Sequence, residues 1–125
     1  LKLRVLDNSI RLRLTRGEVT AIGDDSVVRG RVRFAGNNTF VYMLESSSAI
    51  VKPEAYVSNN VLTVRVPQMD IRRWARSEEI SIQSEQLLDD GDHLKILVEK
   101  DFHCLSPREG EDESDMFPHP ETGTC

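Results

Sequence analysis

Three observations predict an α+β fold. Apolar and polar residues alternate in one short segment after another, turns of two to four residues rich in Gly, Asn, Asp and Ser separate these segments, and only two stretches show helical spacing. Turns this short pair consecutive strands antiparallel. The expected architecture is therefore one curved, mainly antiparallel sheet of about seven strands, with two short helices on one face or end and an irregular acidic C-terminal tail.

The elements follow in order. LKLRVL (1–6) sets Leu1, Leu3 and Val5 against Lys2 and Arg4, a strand with one buried face. Asp7-Asn8-Ser9 turns the chain, and IRLRL (10–14) alternates again, with Arg11 and Arg13 outward. Thr15 followed three residues later by Glu18 has capping-box spacing, which predicts a helix over 16–22 stopped by Gly23. VVRGRVRF (27–34) puts Val28, Gly30, Val32 and Phe34 on one side and Arg29, Arg31 and Arg33 on the other; AGNN (35–38) turns it into TFVYMLE (39–45). SSS (46–48) turns again. Residues 49–57 form a strand whose Pro53 argues for an edge or a bulge. SNN (58–60) leads into VLTVRV (61–66). Pro67 suits a first helical position or a loop, and QMDIRRWARS (68–77) is helical, with Ile71, Trp74 and Ala75 as its apolar stripe and Trp74 as a lid on the core. EEISIQSEQLL (78–88), the DDGD turn (89–92) and HLKILVEKDF (93–102) close the fold. No internal repeat is apparent.

A chain of 125 residues is one domain by length. Residues 105–125 hold three prolines, two glycines and six acids without periodicity. The expected division is a single domain over 1–104 and a tail over 105–125 that packs on or flanks it. No apolar run is long enough to cross a membrane, and no signal-peptide pattern is present. A start at Leu1 implies loss of an initiator or short leader, and Cys104 and Cys125 are expected as free thiols of a cytoplasmic protein.

IRLRLTRGEV (10–19), VLTVRVP (61–67) and LKILVEKDFHCLSPREGEDESD (94–115) together resemble a small, uncharacterised family of bacterial cytosolic proteins, a domain of unknown function. Its signature lies at the two ends, in NSIRLRL (8–14) and in LVEKDFHCL followed by PREGEDESD (107–115). The resemblance covers nearly the whole chain. It implies no activity; it implies that the tail belongs to the domain.

Net charge is −5, but it is segregated: residues 1–76 carry 13 Lys+Arg against 7 Asp+Glu, and residues 77–125 carry 3 against 14. Lys2, Arg4, Arg11, Arg13, Arg29, Arg31 and Arg33 all sit on outward strand positions. If those strands are neighbours, the cations form one face that either binds an anion or is answered by Glu45, Glu54, Glu85, Glu99 and the tail. Few stacking aromatics and an acidic whole argue against nucleic acid. The acids Glu109, Glu111, Asp112, Glu113 and Asp115 precede Met116, Phe117, Pro118 and Pro120, which suggests that the tail folds back over the basic face with Phe117 as its anchor.

No other constellation carries chemistry. Asp101, His103, Cys104, His119 and Cys125 are ligand types, but their spacing matches no zinc pattern, so no metal or other cofactor is expected. Ser9, Ser81 and Cys104 with His93 and His103 form no catalytic motif. Arg- and Lys-lined antiparallel tunnels hydrolyse triphosphates with a divalent metal, as in CYTH-type phosphatases; this chain opens with Lys-x-Arg and lacks their alternating glutamates. The expected function is non-enzymatic binding of an anionic ligand or a protein partner through Arg4, Arg11, Arg13, Arg29, Arg31 and Arg33, complemented by the tail. The alternatives are a metal-dependent phosphohydrolase and a structural or assembly subunit, with a monomer or an edge-paired homodimer as the expected state.

Overall fold

The structure, a computed structural model, describes residues 1–102 together with Asp115 and Phe117. The elements run β1 (Lys2–Leu6), β2 (Ser9–Leu14), α1 (Arg16–Gly23), β3 (Val28–Phe34), β4 (Asn38–Ser47), β5 (Glu54–Ser58), β6 (Val61–Pro67), α2 (Gln68–Arg76), β7 (Ser81–Leu87) and β8 (His93–Lys100). The class is α+β. The single curved antiparallel sheet of about seven strands is not found: the described residues form eight strands in two four-stranded mixed sheets, ordered β1-β2-β8-β7 and β3-β4-β6-β5. Each sheet consists of two antiparallel hairpins joined through parallel inner strands, β2 with β8 and β4 with β6. Short turns fix the partner within a hairpin but not the strand on the hairpin's other side. Here each helix carries the chain from one sheet to the other, and the inner pairings become parallel.

This arrangement is a duplication. Each half of the chain is hairpin, helix, hairpin, and the first hairpin of one half pairs with the second hairpin of the other. The halves superpose in sequence with offsets of 52 residues from β1 to α1 and 54 from β3 to β4, as the registers show. Ile10, Leu12 and Leu14 on β2 match Leu62, Val64 and Val66 on β6, and all six are buried. Val19 and Ile22 on α1 match Ile71 and Trp74 on α2, again all buried. Arg13, opposite Glu99, matches Arg65, opposite Glu45. Val28 opposite Leu44 matches Ile82 opposite Val98. Even a backbone hydrogen bond repeats: Lys95 N donates to Asn8 O at 3.1 Å, and Val41 N donates to Asn60 O at 3.0 Å. The expectation that the chain holds no repeat is thus overturned. Few side chains are identical between the halves; what persists is burial.

Local chemistry accounts for the elements. Thr15 Oγ1 accepts from Glu18 N at 3.4 Å and Glu18 Oε1 from Thr15 N at 3.0 Å, so the capping box starts α1. Pro67 precedes α2, where Asp70 in the first turn and Arg73 and Arg76 in the last complement the helix dipole. Asp7 and Asn59 take positive φ of 49° and 51° in the equivalent β1–β2 and β5–β6 turns, a conformation Asp and Asn tolerate better than most residues. Pro53 lies just before β5, the edge strand of its sheet. The inner faces of both sheets and both helices share one core, with Trp74 fully buried and its Nε1 donating to Ile80 O at 3.0 Å. The helices meet at Gly23 and Ala75, which are themselves equivalent: a Cβ on Gly23 would lie 2.9 Å from that of Ala75.

Candidate functional site

Strand alternation directs the six arginines outward, but the fold divides them. Arg4, on β1, and Arg11 and Arg13, on β2, belong to one sheet; Arg29, Arg31 and Arg33 lie on β3 in the other. The expected single rectangle of cations does not exist, because the strand after α1 starts a new sheet.

The two groups also differ in their surroundings. Glu99 Oε1 on β8 sits 2.6 Å from Arg13 Nε and 3.6 Å from Arg11 Nε, and Lys2 Nζ lies 3.1 Å from Asp101 Oδ2. Lys2, Arg11 and Arg13 are thus answered from β8 and the residue after it, whereas Arg4, on the edge strand β1, makes no ion pair among the described residues. The open hollow of about 520 Å³ on this sheet carries both signs, being lined among others by Ser9, Arg11, Gln83, Glu85, Lys95 and Leu97. Arg65 on β6 is answered as well, by Glu45 at 2.6 Å and Glu54 at 4.0 Å, and it stacks over the Tyr56 ring at 5.1 Å.

On β3, Arg29, Arg31 and Arg33 are exposed and make no ion pair among the described residues. Their strand is the edge of its sheet, so its outer N–H and C=O groups meet no further strand among the described residues. Opposite Arg31 and Arg29 stand Val41 and Met43 on β4, and these four side chains with Gly30 and Val61 line an open, mainly apolar hollow of about 620 Å³. By the duplication it matches the hollow on the other sheet: Arg29 occupies the position of Gln83, Arg31 that of Glu85, Val41 that of Lys95 and Met43 that of Leu97. Equivalent backbones therefore hold a purely basic site and a mixed-charge one.

Gly30 fixes the row from behind. Tyr42, directly opposite on β4, fills the space where a side chain at 30 would be: a Cβ there would lie 2.4 Å from Tyr42 Cζ. Tyr42 Oη donates to Leu1 O at 3.3 Å, which ties β4 to the start of β1. The glycine was legible as an inward position, but its dependence on one tyrosine was not.

Asp115 and Phe117 lie away from the β3 row. Asp115 O accepts from Arg16 N at 2.9 Å, and its carboxylate lies 3.3 Å from Gly17 N at the start of α1. Phe117 N donates to Asp101 O at 2.7 Å; its half-buried ring packs on the core, 5.6 Å from that of Phe102 and 5.5 Å from Lys100 Nζ. Glu109, Glu111, Asp112, Glu113, Met116, Pro118, Pro120, His103, Cys104, His119 and Cys125 lie outside the described residues. Among the described residues, no group of three or more His, Cys, Asp or Glu is placed to hold a metal, and no helix is long and apolar enough to cross a membrane. Ser9, Ser81 and His93 sit on β2, β7 and β8 and form no nucleophile–base hydrogen bond.

One ionisable group is displaced by burial. Lys100 is buried, and desolvation lowers its pKa from the ordinary 10.5 against the pull of Glu79 and Glu78. Its ammonium donates to Ser77 O at 2.8 Å and lies 5.6 Å from the Trp74 ring centroid, so its place is structural.

The chain belongs to DUF7009, a family of unknown function. The match spans residues 1–121, so Asp115 and Phe117 fall within the DUF7009 domain. No curated protein and no solved structure matches it.

Proposed function

We propose that this DUF7009 domain is a cytoplasmic, non-enzymatic bacterial binding module that takes an acidic, extended polypeptide segment along the β3 edge. One observation carries the reading: three exposed arginines stand in line on an edge strand beside an apolar hollow, without an ion pair among the described residues, whereas Arg11, Arg13 and Arg65 each have a carboxylate. A strand added to this edge supplies main-chain hydrogen bonds. Its acidic side chains meet Arg29, Arg31 and Arg33, and an apolar residue between them enters the hollow against Val41 and Met43. Arginine suits this role because its planar fork takes a carboxylate in two parallel hydrogen bonds. Arg4, Arg11 and Arg13 are supporting charge on the other sheet, and the acids at 109–113 are the chain's own competitor for the row.

The test is fluorescence anisotropy of a labelled Glu-rich peptide, with inorganic triphosphate as the small-anion comparison. Reversal of Arg29, Arg31 and Arg33 to Glu should weaken peptide binding by about ten-fold or more, as three exposed charge pairs allow. Reversal of Arg4, Arg11 and Arg13 should change it several-fold less. Equal losses from both triples, or no peptide binding by the parent chain, would end the proposal.

A further inference from the structure

The duplication supplies a candidate for the acidic segment. The two outer hairpins are structural equivalents, and their charges are opposite. Residues 28–44, which cover β3 and β4 as far as Leu44, hold three arginines and no acid. Residues 82–98, spanning β7 and β8, hold Glu85, Asp89, Asp90 and Asp92 against a single Lys95. Each hairpin places its outer strand, β3 or β7, at the edge of its sheet. None of those four acids makes an ion pair among the described residues, and neither does any of the three arginines.

We infer that the partner of the β3 edge is the acidic β7–β8 hairpin of a second copy of this chain, an inference that rests on the binding reading above. Charged side chains on an edge strand keep it from pairing indiscriminately. Here they also select. Two β3 edges repel through their arginines, and two β7 edges repel through Glu85 and the turn acids. Of these two edges, only the unlike pair attracts, because carboxylates then face guanidinium groups and the main-chain groups of both edges find partners. Glu85 stands outward on β7 where Arg31 stands on β3, with the uncharged Gln83 in the place of Arg29, so equivalent positions on the two edges carry an acid and a base. The contact uses two different surfaces. It is therefore head-to-tail, and each added copy leaves one basic and one acidic edge open at the two ends of the array.

Sedimentation velocity of the full chain at low and high ionic strength tests this. The expected result is a mean mass that grows with concentration at low salt and returns to monomer at high salt, where the Debye length shrinks below the reach of the pairs. The variants Arg29→Glu/Arg31→Glu/Arg33→Glu and Glu85→Arg/Asp89→Arg/Asp90→Arg should each be monomeric alone, with urea midpoints near that of the parent because all six positions are exposed. Mixed in equal amounts, they should co-assemble in alternation, since each now carries two like-charged edges that fit the other's. The milder single variants Arg31→Glu and Glu85→Arg, mixed the same way, guard against a triple reversal that fails to fold. A parent chain that stays monomeric at low salt and high concentration, an assembly indifferent to salt, or mixed variants that sediment apart would each overturn self-association. Binding of the Glu-rich peptide by that same monomer would leave the acidic-partner reading standing and refute only the second copy.

Discussion

Gly30→Ala tests whether the arginine row is held in place by Tyr42. The new methyl would lie 2.4 Å from Tyr42 Cζ and 2.5 Å from Oη, closer than carbon and oxygen tolerate, so the ring must swing away. The ring is then expected to lose its hydrogen bond to Leu1 O, worth about 1 kcal/mol, and part of its packing on the core, worth about 1 kcal/mol more. Removing a glycine from the unfolded chain returns roughly 0.5 kcal/mol. The net expectation is a loss of about 1–2 kcal/mol, which lowers a urea midpoint by about 0.5–1 M at a slope of about 2 kcal/mol/M. Equilibrium urea unfolding of Gly30→Ala, Tyr42→Ala and the double variant forms the cycle. With the ring gone, the methyl has nothing to strike, so Gly30→Ala should be neutral or slightly stabilising in the Tyr42→Ala background. A midpoint unchanged by Gly30→Ala alone, or the same penalty with and without Tyr42, would refute the reasoning.

Three further outcomes follow from the packing. Lys100 has a folded-state pKa below its unfolded value, so the unfolded chain binds more protons between the two values and stability should rise with pH across that alkaline window. Lys100→Met should remove that rise, as urea midpoints compared from neutral to alkaline pH will show. Asp25 accepts from Arg72 at 2.6 Å, from Gln68 at 3.1 Å and from Ser46 at 3.3 Å; these bonds, Arg72 first, hold its pKa below 3.8. Its contribution should be present above the unfolded carboxylate pKa and fade as pH falls through the lower folded value, and Asp25→Asn should flatten that acid limb in thermal melts. Phe117→Ala removes a half-buried ring and should cost about 1.5–2.5 kcal/mol in urea unfolding, half the usual penalty for a fully buried phenylalanine.

Much of the fold was legible because alternation and capping are local. Ile10, Leu12 and Leu14 had to face inward once Arg11 and Arg13 faced out, and Thr15 with Glu18 announced α1 three residues apart. Sheet membership was not legible, because alternation says which face a residue takes and not which strand lies beside it. Arg13 and Arg33 read identically in one dimension, yet one sits beside Glu99 and the other on an edge. The duplication was hidden because burial persists where identity does not: Ile22 answers to Trp74 and Leu14 to Val66. Asn8 with Asn60, Arg13 with Arg65 and Glu45 with Glu99 were identities available to the eye, but the offset changes from 52 to 54 between them. The basic site suffered most, since it depended on neighbours that only the parallel β4–β6 and β2–β8 pairings decide.

Those two pairings have a consequence for how the chain is made. Neither half can complete a sheet from its own strands: β2 must wait for β8, and β6 must reach back to β4. A ribosome releasing residues 1–47 has therefore delivered a hairpin, a helix and a second hairpin that cannot yet settle against one another as they will in the finished domain. Cooperative collapse waits for β8, and a chain cut between β4 and β5 should behave as two mutually dependent fragments that regain structure only on meeting.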